Sequence, residues 1–206
     1  MEKYHKIQTV WKRDPANNYK TLIEGAWATA ALAYLAMNTW VYTEKVDGTN
    51  IRISWDGERI QYAGRTDRAQ IPPFLLEALR GMTDPVRFAK VFDCPVCLYG
   101  EGYGPKIQKG GGKYRETPGF VLFDVRVGGY WLRRQDVESI AESLGLDVVP
   151  IVGRGTLKGL VAAVRRGLSS GWGDFEAEGI VARPAVQMFD RQGERIITKL
   201  KAKDFR

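Results

Sequence analysis

In Glu44-Lys45-Val46-Asp47-Gly48-Thr49-Asn50 a lysine stands between two acidic residues just ahead of a turn signal. Lys45 is the candidate nucleophile of the chain. A lysine amine attacks a phosphorus or carbonyl centre only as the neutral base, and a free lysine, with a pKa of about 10.4, is almost wholly protonated near neutrality. Loss of the proton calls for nearby cations, a bound metal or desolvation, whereas neighbouring carboxylates act the other way. Taken alone, a lysine beside an Asp-Gly turn is more often the mark of a solvated surface. Corroboration has to come from the rest of the chain.

Positive charge recurs near the carboxy-terminal end. In Arg195-Ile196-Ile197-Thr198-Lys199-Leu200-Lys201 a two-residue period puts Lys199 and Lys201 on one face of a strand and Thr198 and Leu200 on the other. These are cations that could serve Lys45, although a basic edge strand that resists aggregation has the same pattern. Arg65 falls twenty positions after Lys45, and a hairpin of that length could return it to the same end of a sheet; a solvated edge arginine reads the same way. Glu101, in Cys97-Leu98-Tyr99-Gly100-Glu101-Gly102-Tyr103-Gly104, is a carboxylate among glycines. Such glycines let a ligand approach the backbone closely, or simply turn the chain at a strand end. Phe123 alternates with Val121 and Val125, as a core residue or a base-stacking platform would.

Lys106-Ile107-Gln108-Lys109-Gly110-Gly111-Gly112-Lys113-Tyr114-Arg115 reads as a flexible loop whose four cations and aromatic suit a phosphate backbone. It is not a Walker loop, because no glycine stands five before Gly112 and Tyr114 takes the place of Ser or Thr. No Gly-x-Gly-x-x-Gly dinucleotide fingerprint follows a strand.

The elements that must position these residues can be read from hydrophobic period and turn signals. Thr39 to Thr43 leads into the lysine as a strand, Asp47-Gly48 offers a turn, and Ile51 to Trp55 leads out. Asp56-Gly57 then turns a hairpin onto Ile60 to Ala63. Tyr19 to Asn38, rich in Ala and Leu, reads as a core helix supporting the Lys45 strand from behind. Further helices are expected over Ile71 to Arg80, Pro85 to Phe92, Asp136 to Leu144 and Thr156 to Leu168, with Gly145 stopping the third. Gly119 to Val127 reads as a strand that Gly128-Gly129 turns back onto Tyr130 to Leu132. Ser169 to Asp174 is a loop, and strands over Glu178 to Arg183 and Arg195 to Lys201 close the chain. Residues 1–18 show no clear period.

At 206 residues, 44% hydrophobic and 27% charged, the chain suits one well-cored domain, which excludes disordered and collagen-like classes. The formal net charge of +7 favours a phosphate-rich partner. No charged-then-apolar leader opens the chain and its longest apolar run, Ala26 to Met37, is too short for a bilayer, so a cytoplasmic protein with no membrane partner is expected. Cys94 and Cys97 form a Cys-Pro-Val-Cys pair without the second pair a four-ligand zinc site wants. His5 is the single histidine, which leaves no room for Ser-His-Asp, Cys-His or multi-histidine metal chemistry.

Taken in order, the lysine motif around Lys45, Arg65, the glutamate motif around Glu101, Phe123-Asp124-Val125, Glu178-Gly179-Ile180-Val181 and Lys199-Leu200-Lys201 resemble the covalent nucleotidyltransferase superfamily of ATP-dependent RNA and DNA ligases and mRNA capping enzymes. The resemblance spans roughly Trp40 to Phe205. Asn50 closing the first motif, and the glycine-lysine loop, look most like phage-type RNA ligases that seal breaks in duplex RNA. The resemblance implies an α+β nucleotidyltransferase domain of antiparallel sheets flanked by helices, forming an ATP cleft with Lys45 at its floor. Such ligases and capping enzymes usually carry a further domain after the double-lysine motif, an OB-fold or a small helical one; this sequence stops at Arg206, so a single nucleotidyltransferase domain over residues 1–206, without that further domain, and a monomer are the expectation.

By the same resemblance, ATP and Mg²⁺ are the cofactors and RNA with 5′-phosphate and 3′-hydroxyl ends, in a nicked duplex, is the partner. Lys45 would carry AMP, and Lys199 and Lys201 would neutralise charge on the α-phosphate. Glu178 would hold the metal, Arg65 and Glu101 would grip the ribose, and Phe123 would stack on adenine. Glu44 would help read the base, and Asn50 would orient the phosphate or the metal's water. A DNA ligase, a capping-type guanylyltransferase and a catalytically silent nucleic-acid-binding module are the alternatives.

Overall fold

The computed structural model describes residues 2–205, and it is mixed α+β with largely antiparallel sheets. In chain order the first elements are β1 (Gln8–Thr9), β2 (Trp11–Arg13), β3 (Leu22–Trp27), α1 (Ala30–Tyr34) and β4 (Trp40–Lys45). Next come β5 (Thr49–Trp55), β6 (Ile60–Ala63), α2 (Pro73–Met82), α3 (Pro85–Val91), β7 (Val96–Tyr103), β8 (Gly119–Val127) and β9 (Tyr130–Trp131). The last are α4 (Arg134–Leu144), β10 (Asp147–Val148), β11 (Ile151–Gly155), α5 (Leu157–Arg166), β12 (Gly179–Pro184) and β13 (Thr198–Lys201). They fall into two compact units, residues 2–5 with 47–149 and residues 6–46 with 150–205.

In the unit of residues 6–46 and 150–205, β1, β13, β12, β4 and β11 form one sheet in that order, and β2 pairs with β3. All pairs are antiparallel except β1 with β13, which sets Gln8 opposite Thr198 and Thr9 opposite Lys199. Along β4 the two-residue period buries Trp40, Tyr42 and Glu44 and leaves Val41, Thr43 and Lys45 half-buried, so Glu44 and Lys45 point to opposite faces.

The helix expected over residues 19–38 is replaced by β3 and the short α1. Gly25 takes φ +78, a left-handed conformation that no α-helix interior contains. Thr29 then caps α1, its Oγ1 accepting the Leu32 N–H at 3.2 Å. The expected support survives in part: Leu32, Leu35 and Ala36 share a buried cluster with Trp40 and Tyr42 of β4 and with Leu157, Leu160 and Val164 of α5.

The Asp47-Gly48 turn does not join paired strands. β4 pairs with β11 and β12, whereas β5 pairs with β6 and β7 in the other unit.

In that unit, the sheet runs β10, β8, β7, β5, β6, with β9 folded back on β8. Both local hairpins appear as expected. Trp55 pairs with Ile60 around Asp56, whose Oδ1 accepts the Glu58 and Arg59 N–H groups, and Val127 pairs with Tyr130 around Gly128 and Gly129 at φ +53 and +93. The helices α2 and α3 begin at prolines, and α4 ends at Gly145 in the left-handed conformation at φ +69. The core is built from Ile51 and Ile53 of β5, Leu75 and Leu79 of α2, Phe88 of α3, Leu98 of β7, Leu122 and Val125 of β8, and Val137 of α4.

Candidate active site

The sheet register assembles the lysine centre. β12 lies between β4 and β13, and its Gly179 is opposite Lys45 on one side and Lys201 on the other, so three strands present Lys45, Gly179 and Lys201 in one row. Glu178 precedes the row and bridges it. Its Oε2 accepts from Lys45 Nζ at 2.5 Å, and its Oε1 lies 2.5 Å from Lys201 Nζ. Side-chain exposures of 20% for Lys45, 15% for Glu178 and 21% for Lys201 keep most solvent from this triad, so salt screens it less than a surface pair. Lys45 Nζ also reaches the Val46 carbonyl at 3.4 Å.

Lys199 is opposite Val181 and shares the half-buried face of β13 with Lys201, while Thr198 and Leu200 are buried, as the period required. The close approach of β12 to β13 depends on Gly179: a Cβ there would overlap the Leu200 carbonyl oxygen and stand 2.7 Å from Lys201 Cα.

Glu44 is 2% exposed and both of its oxygens are engaged. Oε1 accepts from Ser170 Oγ and Oε2 from the Gly171 N–H, each at 2.7 Å, and Ser170 Oγ in turn accepts from the Trp172 N–H at 3.1 Å. A buried carboxylate left without such donors would be costly, so Glu44 anchors the loop after α5. Ser170 and Gly171 carry no signal in the sequence, where a Ser-Gly pair in a polar loop is ordinary turn composition.

Asn50, Arg65, Glu101 and Phe123 belong to the unit of residues 2–5 and 47–149. Asn50 lies near the start of β5, directly opposite Glu101 of β7. Asn50 Oδ1 is buried without a hydrogen-bond partner among the described residues. Arg65 is exposed just past the end of β6, whose Ala63 is opposite Arg52 of β5, so the hairpin places it towards the Asn50 end of this sheet, whereas Lys45 stands on a strand of the other sheet. Arg52 itself is fully buried, donating to the Gly64 carbonyl and to Asp67 Oδ1, each at 2.8 Å.

The segment around Glu101 is an interior strand rather than a turn, and core side chains fill the space beside two of its glycines: a Cβ on Gly100 would strike the Phe120 ring, and one on Gly102 would lie 2.8 Å from Leu75 Cδ2. Gly48 has a related role, since a Cβ there would meet the Gly102 carbonyl and lie 2.8 Å from Glu101 Cγ.

Phe123 departs from the expected alternation. A register shift between Tyr99 and Gly100 puts it at a bulge, so Leu122 and Val125 both join the core while Phe123 stays half-buried, edge-on to the Tyr4 ring at 5.1 Å. The neighbouring Asp124 is fully buried and accepts from Tyr4 Oη at 2.5 Å. The Lys106 to Arg115 loop is tied down at two points: the hydroxyl of buried Tyr114 accepts the Asp47 N–H at 3.2 Å, and Gln108 Nε2 donates to the Gly48 carbonyl at 3.1 Å.

Among the described residues no three His, Cys, Asp or Glu side chains gather as metal ligands. A magnesium ion fits Glu178 alone only if phosphates and water complete its coordination, the usual arrangement for that ion. Cys94 and Cys97 are free thiols, and burial pushes the Cys97 thiol above its ordinary range. No helix among the described residues is long and apolar enough to cross a membrane.

The sequence pattern of the RNA ligase family matches residues 38–201, and the chain belongs to that family. Its fold is that of part of a Naegleria gruberi RNA ligase. An apo point mutant of that enzyme superposes with a TM-score of 0.70 at 17% identity, covering 100% of this chain and 56% of that one. The ligase with PPi gives 0.68 at 17% identity over 98% and 56%, and a point mutant with ATP and Mn gives 0.70 at 16% over 98% and 56%. The chain thus spans a little over half the length of these structures. No curated protein sequence matches it.

Proposed function

We propose that the chain is an ATP-dependent RNA ligase that works through a lysyl-AMP intermediate on Lys45. The observation that carries this reading is the row of Lys45, Gly179 and Lys201 with the Glu178 carboxylate between the two ammonium groups. Lys45 Nζ leaves Glu178 Oε2, gives up a proton to solvent water to become the neutral amine, and attacks the α-phosphorus of ATP. The new N–P bond forms as the bond from that phosphorus to the oxygen bridging the β-phosphate breaks, and pyrophosphate departs. AMP then passes from Lys45 to the 5′-phosphate of an RNA end, and a neighbouring 3′-hydroxyl attacks that phosphate and expels AMP.

Lys199 and Lys201 offset the negative charge that builds on the α-phosphate. Glu178, once Lys45 has left it, is the residue to hold magnesium, which when bound supplies further charge neutralisation at phosphate oxygens. The Naegleria ligase structures with ATP and Mn support a nucleotide and a divalent ion of this kind. Asn50, whose amide carries both a donor and an acceptor, orients the phosphate or the metal's water. Arg65 and Glu101 hold the ribose, Phe123 stacks on adenine, and Glu44 fixes the loop beside the base.

The test is joining of a labelled nicked RNA duplex, bearing 5′-phosphate and 3′-hydroxyl ends, with ATP and magnesium. Joined RNA on a denaturing gel is the expected result. Sealing of a DNA nick in preference to RNA would make the protein a DNA ligase, and use of GTP in place of ATP a capping-type guanylyltransferase. RNA binding without transfer from either nucleotide would leave a silent binding module.

A further inference from the structure

A groove of about 970 Å³ lies within the unit of residues 6–46 and 150–205, lined by β1, β2, the turn before β3, Lys199 and Lys201 of β13, and the short turn after β13. Its lining carries seven cations against one carboxylate. Asp204 offsets little of that charge, because it is spent on Arg13 Nη2 at 2.8 Å and on the Lys201 N–H at 2.9 Å. Lys6, Lys12, Lys20 and Lys203 have no ion-pair partner among the described residues. Like charges left together without counter-ions repel, so the fold gains nothing from collecting them, whereas a polyanion would.

The groove also holds an aromatic in an unusual setting. Tyr19 is 62% exposed and comes directly after Asn18, both with left-handed backbones at φ +59 and +49, a conformation that costs a non-glycine residue free energy. The turn is held in place: the Tyr19 N–H donates to the Asp14 carbonyl at 2.8 Å, and the Tyr19 carbonyl accepts from Arg13 Nη1 at 3.2 Å. A strained, fixed turn thus presents a bare ring beside a row of cations. Cations that track a backbone and a ring that stacks on a base are the two parts of a single-strand binding surface.

From these observations we infer that the groove binds the RNA strand whose 5′-phosphate enters the lysine centre, with Lys6, Lys12, Lys20 and Lys203 on its phosphates and Tyr19 stacked on a base. Lys201 lines the groove and also contacts Glu178, so a strand lying there ends at the site of chemistry. This inference rests on the proposed ligase function for the identity of the strand, not for the existence of the surface.

The test is fluorescence anisotropy of a short 5′-phosphorylated single-stranded RNA, titrated with the full chain at several salt concentrations and without nucleotide. Lys12→Glu/Lys20→Glu should weaken binding at least about tenfold and lower the slope of log affinity against log salt by about one or more. Tyr19→Ala, which removes no charge, should weaken binding about fivefold or more and leave the slope unchanged. The control with the same change in net charge is Lys158→Glu/Arg166→Glu on α5, outside the groove. Circular dichroism establishes that each variant is folded.

RNA affinity in Lys12→Glu/Lys20→Glu equal to wild type, or reduced no more than in the α5 control, would overturn the inference. The assay contains no ATP, so it reads the groove independently of adenylyl transfer. A chain that binds RNA through the groove but joins no ends would refute the ligase reading and leave the surface standing.

Discussion

Glu178 holds Lys45 and Lys201 apart and together: each ammonium takes one oxygen of a mostly buried carboxylate. Glu178→Ala leaves Lys45 and Lys201 on either side of Gly179 without the carboxylate they share, and on the proposed mechanism it also removes the metal ligand. Transfer of AMP to the protein should fall on the order of a hundredfold or more, measured as the initial rate of label incorporation. An undiminished rate would show that the bridge has no part in the reaction.

Gly179 is constrained differently. Gly179→Ala would press a methyl group onto the Leu200 carbonyl, and an expected loss of about 1–3 kcal/mol should appear as a lower urea midpoint at unchanged slope. At this scale the sequence is informative about residue type and strand face, since Lys199 and Lys201 do share one face. It is silent about the partners of Glu44, because Ser170 lies 126 positions away.

Among elements, what is legible depends on how local the pairing is. Asp56-Gly57 and Gly128-Gly129 join strands that do pair, and each hairpin can be read from a few residues. Asp47-Gly48 carries the same signal, yet β4 finds its partners in β11 and β12, more than a hundred positions on. Nothing local distinguishes the two outcomes. The bulge that turns Phe123 out of the core has no marker in its own strand either. Gly25, whose backbone breaks the expected helix, is visible as a glycine but not as a positive φ.

The β5–β6 hairpin also offers a pH test. The Arg52 guanidinium beside Asp67 holds that carboxyl below its ordinary range in the folded chain. The pair therefore contributes stability that is complete above the pKa of an unfolded aspartate, about 4, and is lost as pH falls through the lower folded value. Wild type and Asp67→Asn should thus differ in unfolding midpoint near neutrality and converge in acid. A constant difference across that range would show that the charge of Asp67 is not what matters.

At the scale of the molecule, the net charge of +7 is legible but its placement is not. The groove draws on residues 6–28 and 199–204, and they meet because β1 runs parallel to β13. The fold class is readable from the ordered motifs; the division into two units, crossed after residues 5, 46 and 149, is not, because no linker-like composition marks the crossings. Lys45 stands one residue before such a crossing.

The central claim is that this lysine carries AMP. The full chain would be incubated with α-labelled ATP and magnesium, denatured, digested and mapped by mass. The account predicts one AMP on the peptide bearing Lys45, and none on folded Lys45→Ala. An adduct that survives in Lys45→Ala, or no adduct on folded wild type with magnesium and either ATP or GTP, would contradict it.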